Sequence, residues 1–153
     1  MIKIQIPATS ANLGAGFDAL GLALTYYNYI EMEECDKIDI TAADGLDIPT
    51  DERNLIYISA KDLFAVCGKK LEGLKLIQTS NIPMARGLGS SSACIIAGLV
   101  GANKMLGDPL TKDDLVDLAA QIEGHPDNTA PALLGGIVTA VFDERKVHWV
   151  KQE

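Results

Sequence analysis

Apolar and polar residues alternate at the start of the chain, where Lys3 and Gln5 separate Ile2, Ile4 and Ile6. A period of two is that of a half-buried strand, and Pro7 is expected to end it because proline cannot donate to a ladder. The next segment, "ATSANLGAGFDALG", is polar, punctuated by glycine, and reads as a loop. Tyr26 to Glu33 and Lys37 to Thr41 read as two more strands, the second from Ile38 and Ile40 alternating with charged partners. Asp44 to Asp51, with Gly45 and Pro49, reads as a connection.

The period then changes. From Asn54 onward Ile56, Ala60, Leu63, Phe64 and Cys67 recur at helical spacing, and Gly68 is placed to stop that helix. Leu74, Leu76 and Ile77 mark a strand closed by "TSNIP", and a helix is expected from about Ser91 to Leu106, ended by "GDP". Thr111 followed by Asp114 resembles a capping box, ahead of Leu115, Leu118, Ala119 and Ile122 at helical spacing. "EGHPDN" breaks this helix, and a short helical piece follows. Gly136 to Phe142 and Val147 to Val150 form a hairpin around "DERK". The mixture is α+β, without the regular alternation of a βαβ fold.

With 153 residues, 48% hydrophobic and 22% charged, the chain can bury the core of one domain. Its formal charge of -8 repels phosphate backbones and anionic lipid surfaces, and the basic residues form no patch to override that field. Nucleic acid and membrane are therefore not expected partners. Aromatics make up 5% of residues, too few to suggest a base-stacking platform. Cys35, Cys67 and Cys94 have no CxxC spacing, which fits free thiols in a reducing cytoplasm better than disulfides or zinc. The longest apolar run, Ala93 to Ala102, is far short of the roughly 20 residues of a membrane span.

The chemistry concentrates in "ARGLGSSSACIIAGLVGA", residues 85 to 102, where two glycines and three serines precede a run of small and apolar residues. A strand, a glycine-rich turn and a helix start together gather anions, because the first backbone N–H groups of the helix lack partners and its dipole is positive there. Gly87 and Gly89 let the backbone approach a bulky anion, and the hydroxyls of Ser90, Ser91 and Ser92 can donate to phosphate oxygens or ligate a metal. The competing reading is that the serines only cap the helix and the glycines serve a turn. Walker A is excluded because no GxxxxGK occurs. "GLGSSS" lacks the third small residue of a dinucleotide fingerprint. "GAGFDA", residues 14 to 19, satisfies GxGxxA but would set Asp18 against a pyrophosphate.

"NIPMARGLGSSSA" resembles the second motif of the GHMP small-molecule kinases, a proline, three residues, then Gly-Leu-Gly-Ser-Ser. "PATSANLGAGFDALG" and "EGHPDNTAP" resemble, in the same order, segments that distinguish the homoserine kinases within that family. The resemblance implies a ribosomal-protein-S5-domain-2-like fold, ATP as donor, Mg2+ as cofactor, and phosphorylation of the side-chain hydroxyl of L-homoserine on the threonine pathway. Carried over by position, Pro83, Met84, Ala85, Arg86, Gly87, Leu88, Gly89, Ser90, Ser91, Ser92 and Ala93 would form the phosphate loop. Asn54, in "RNLI", would lie beside the adenine. Glu123 and Ser91 would hold Mg2+, and Asn12, Asp18 and His125 would contact the amino acid. At the position where mevalonate-type relatives carry a basic aspartate stands Asn128, which can orient a hydroxyl but cannot take its proton. Asp127 is chemically able to act as a base, yet is expected to turn away and help cap the next helical segment. Arg86 could reach a phosphate or simply be solvated, and His148 reads as structural.

Family members carry a second domain after the hairpin. Residues 1 to 153 therefore read as the N-terminal, ATP-binding domain of such an enzyme. The family's substrate-carboxylate arginines lie in the second domain; Arg53, Arg86 and Arg145 are the arginines present here, and none lies in a matching motif. The isolated part is expected to be weakly active or inactive, and an uncovered apolar face would favour self-association, for instance as a homodimer. Three rivals stand beside this reading: another GHMP kinase with a mevalonate-type acceptor, a non-catalytic S5-like binding module, and a nicotinamide-dependent oxidoreductase.

Overall fold

The computed structural model describes residues 1–11, 19–143 and 145–152. The elements run β1 (Ile2–Ala11), β2 (Leu20–Glu34), β3 (Ile38–Ala42), α1 (Leu55–Val66), β4 (Leu74–Thr79), α2 (Ser90–Met105), α3 (Lys112–Glu123), α4 (Thr129–Leu134), β5 (Ile137–Phe142) and β6 (Val147–Gln152). The α+β class expected from the sequence is the one observed.

The long strand β2 organises the sheet. Along one edge it pairs antiparallel with β1, from Ile2 opposite Met32 to Ala11 opposite Gly21. Along the other it pairs with β4 through Tyr29–Glu34 and with β5 through Leu20–Leu22. β3 adds parallel to β4, and β6 adds antiparallel to β5.

Two strand limits differ from expectation. Pro7 does not end β1: the register slips between Pro7 and Thr9, and the strand resumes to Ala11. β1 is paired on one edge only among the described residues, so a missing N–H is tolerated there and the irregularity absorbs it. β2 begins at Leu20 rather than Tyr26, because Gly21, which reads as loop, and the following Leu22 are held from both sides by β1 and β5.

The main core lies between the sheet and the α1–α2 pair, built from Ile4, Ile30, Met32, Ile56, Leu63, Leu76, Ile96 and Leu99 among others. The small residues of α2 follow from its position. A Cβ on Gly98 would sit 2.4 Å from the Ile56 carbonyl oxygen, so glycine lets α2 lie directly against α1. Glycine inside a helix costs roughly 1 kcal/mol relative to alanine, which close packing must offset. A second, smaller cluster joins α3 and α4 to the β5–β6 hairpin through Val116, Ala120, Ala130, Leu134, Val138, Ala140 and Val147.

Helix ends match the sequence signals. Gly68 follows the α1 C-cap with φ +70°. Thr111 and Asp114 form a reciprocal capping box at α3. The three cysteines are free and half-buried. Among the described residues no helix is long and apolar enough to cross a membrane.

Candidate active site

The segment 80–89 forms one wall of a cavity of about 740 Å³, which is also lined by Leu46, Ile48, Pro49, residues 53–55, the first turn of α2 and Asn128. Its loop is fastened at its two rims. On one side the Asn28 side chain, buried in β2, accepts the N–H of Ile82 at 2.8 Å, and Asn81 donates to the Tyr27 carbonyl at 3.0 Å. On the other, the N–H of Thr9 donates to the Leu88 carbonyl at 3.0 Å. Between these anchors Pro83 to Gly87 are exposed.

Ala85, Gly87 and Gly89 adopt φ of 57°, 72° and 71°, left-handed conformations at every second residue. Such alternation turns successive N–H groups toward a common point and makes a concavity suited to an anion. A Cβ on Gly87 would meet nothing within 4 Å, whereas one on Gly89 would sit 2.1 Å from Thr9 Oγ1. Gly89 is thus needed twice, for its backbone and for its missing side chain.

Gly89 is the N-cap of α2 and supplies no side-chain cap. The serines do not cap the helix either, so that reading of "SSS" fails. Instead Ser91 Oγ donates to Glu123 Oε1 at 3.1 Å, and Ser92 Oγ approaches the same oxygen at 3.4 Å. The last turn of α3 is thereby brought to the first turn of α2. The N–H groups of Ser90, Ser91 and Ser92 have no partner among the described residues, which leaves the positive end of α2 open at the cavity.

One carboxylate and one hydroxyl converging beside an anion cradle suit Mg2+, which keeps several waters and takes the rest of its shell from substrate phosphates. Glu123 has no lysine or arginine partner among the described residues that would occupy it instead. No cluster of three or more His, Cys, Asp or Glu side chains able to hold a metal occurs among those residues.

Asn54 lines the cavity but is committed to the fold. Its Oδ1 accepts the N–H of Ile56 at 2.9 Å as the α1 N-cap, and its Nδ2 donates to the Pro49 carbonyl at 2.9 Å. The apolar wall around it includes Leu46, Ile48, Leu55 and Cys94. Burial pushes the Cys94 thiol up to about 11, so it is neutral there. Arg86 is exposed, at the cavity rim.

The turn 125–128 has the opposite character. Asp127 is 1% exposed. Its Oδ1 takes a short hydrogen bond from His125 Nδ1 and accepts the N–H of Asn128 at 3.1 Å. Its Oδ2 is buried without a partner among the described residues. Asp127 therefore does serve the start of α4, as expected, but it points inward and also holds the His125 ring, which sequence reasoning missed. Asn128, the α4 N-cap, makes no capping bond. Its Oδ1 accepts the hydroxyl of Thr9 at 2.7 Å. Thr9 too was missed, although it lies inside the "PATSANLG" motif. Asn12 and Asp18 lie outside the described residues.

The profile of the GHMP kinases N terminal domain matches residues 54–136, more than half of the chain, and the chain belongs to that family. Among its relatives, a homoserine kinase from Carboxydothermus hydrogenoformans is 50% identical over 99% of this chain and 51% of its own length. One from Caldicellulosiruptor saccharolyticus is 47% identical over 99% of the chain and 50% of its own length. The crystal structure of homoserine kinase from Cytophaga hutchinsonii superposes with a TM-score of 0.80 at 32% identity, covering 98% of this chain and 51% of that one. Mevalonate kinase from Methanococcus jannaschii shares the fold, with a TM-score of 0.75 at 18% identity. The chain spans about half the length of the curated relatives it matches.

Proposed function

We propose that residues 1–153 are the N-terminal, ATP-binding domain of a cytoplasmic homoserine kinase, which transfers the γ-phosphoryl group of ATP to the side-chain hydroxyl of L-homoserine. The observation that carries this reading is the convergence of Ser91 and Glu123 at 3.1 Å beside the N–H groups at the start of α2 that have no partner among the described residues. The relatives named above, alike across almost this whole chain, support the choice of acceptor.

In this reading the apolar wall around Asn54 receives the adenine, and Asn54 shapes it by holding α1 and Pro49 in place. Residues 83–93 bind the triphosphate through backbone N–H groups, which suits a reaction that needs positioning and charge neutralisation more than covalent help. Mg2+ held by Ser91 and Glu123 would offset the charge on the phosphate oxygens. Asn12, Asp18 and His125 contact the amino acid. Asn128 orients its hydroxyl.

That hydroxyl oxygen forms the new P–O bond, the bond to the ADP oxygen breaks with its electron pair, and the hydroxyl proton passes to an oxygen of the transferred group. Asp127 Oδ1 is taken by His125 and the Asn128 N–H, so in this reading Asp127 serves the turn and is not the base. The test is phosphorus NMR on the full-length protein with ATP, Mg2+ and L-homoserine, mevalonate or galactose. O-Phosphohomoserine is the expected sole product. Phosphorylation of mevalonate or galactose instead would refute the assignment.

A further inference from the structure

We infer that Thr9 is a positioning residue for phosphoryl transfer, one that holds the Asn128 amide toward the acceptor alcohol; the inference rests on the kinase reading above. Thr9 is fully buried, and each of its two hydrogen bonds goes to a different side of the site. Its N–H fastens the loop at Leu88, and its hydroxyl donates to Asn128 Oδ1 across 119 positions of sequence. The same hydroxyl occupies the space a Gly89 side chain would need. One residue, by its backbone on one side and its side chain on the other, thus ties the loop before α2 to the turn before α4.

An asparagine at a helix N-cap ordinarily accepts from the helix's own N–H groups. Asn128 does not, and its Oδ1 is engaged by Thr9 instead. What remains is Nδ2, which has no partner among the described residues, on a side chain that lines the cavity. An amide nitrogen donates and does not accept. Asn128 therefore addresses the alcohol as a donor to its oxygen, which holds the nucleophile in place without taking its proton. The Thr9 hydroxyl is the contact that holds the Asn128 side chain in this rotamer; without it, the amide is free to turn away from the alcohol.

In the full-length protein, Thr9→Val is expected to lower kcat by roughly 10- to 100-fold, the scale of a misplaced reactant, with the KM for ATP changed less than about threefold. Thr9→Ser, which keeps the hydroxyl, restores kcat to within about threefold of the parent. Asn128→Ala loses a similar factor, and the double variant Thr9→Val/Asn128→Ala is no worse than Asn128→Ala, because the two residues act as one unit. A Thr9→Val kcat within twofold of the parent, a loss that Thr9→Ser fails to recover, or losses that multiply in the double variant would each overturn the inference. A side-chain amide spectrum of this chain gives a readout apart from activity. Thr9→Val should shift the Asn128 NH2 pair while leaving that of Asn54 in place, and an unmoved Asn128 pair sinks the role of Thr9 even if the enzyme is active. A parent protein that phosphorylates no alcohol refutes the kinase reading, whatever the spectrum shows.

Discussion

The loop 83–89 and the turn 125–128 both contain a proline and both lead into a helix, yet they are built in opposite ways. In the loop, Met84 is 65% exposed, and the working groups are backbone N–H donors fastened only at the rims, by Asn28 and Thr9. In the turn, Asp127 is 1% exposed and the working groups are side chains locked to one another. The turn also lies hard against β2: a Cβ on Gly21 would fall 1.9 Å from the Asp127 carbonyl oxygen. A site that grips an anion by backbone can stay open, whereas one that aims side chains at a small acceptor must be packed.

The contrast predicts unequal costs of substitution. Asp127→Ala removes the partner of His125 and the acceptor for the Asn128 N–H from a buried position, and should cost about 3 kcal/mol. For a chain of this size that is a fall in Tm of roughly 6–12 °C. Arg86→Ala in the loop should change stability by less than about 0.5 kcal/mol, as surface substitutions do. Thermal melts followed by circular dichroism decide the matter. Equal melting temperatures for the two variants would erase the distinction between turn and loop.

The loop itself is divided into rim and tip, and its two left-handed glycines separate them. Gly89→Ala must fit a Cβ where Thr9 Oγ1 stands and keep φ near 71°, and should cost roughly 2–3 kcal/mol. Gly87→Ala keeps a similar φ but meets open space, so strain alone applies, roughly 1 kcal/mol. Denaturant titrations of both variants measure the gap. A larger loss for Gly87→Ala would mean that the tip, not the rim, anchors the loop.

The sequence disclosed these two regions to different depths for the same physical reason. Backbone geometry leaves its trace in residue types, so Gly87 and Gly89 pointed directly to the left-handed turn that opens α2. The alternation of Ile2, Ile4 and Ile6 and the capping box at Thr111 were legible because local chemistry alone dictates them. What could not be read depends on contacts between distant segments. Pro7 carries the signal of a strand end, and only the long pairing of β1 with β2 overrides it. Ser90 to Ser92 look like caps until Glu123, some 30 residues on, claims two of the hydroxyls. Asp127 reads as a capping residue turned away from the site, and nothing nearby in the chain reveals that β2 buries the turn. Thr9 stood in a quoted motif, but its partner is 119 residues away.

The smallest expected effect concerns the wall opposite the loop. The Asp44 carboxylate accepts the N–H of Ser80 at 2.7 Å and that of Leu46 at 3.2 Å, which ties residues 44–46 to the strand end from which the loop departs. These bonds, Ser80 first, hold its pKa below the usual carboxylate value. A group depressed in the folded state stabilises the fold above its unfolded pKa, and this contribution disappears as pH falls through the lower, folded value. Because Asp44 is exposed, solvent screens the effect and global stability should barely move. The local signature is sharper: hydrogen exchange at the Ser80 amide should accelerate, beyond its intrinsic pH dependence, as the solution is acidified below the ordinary carboxylate range. Asp44→Asn should abolish that excess, and an excess that survives the substitution would show that the wall is held by something other than this carboxylate.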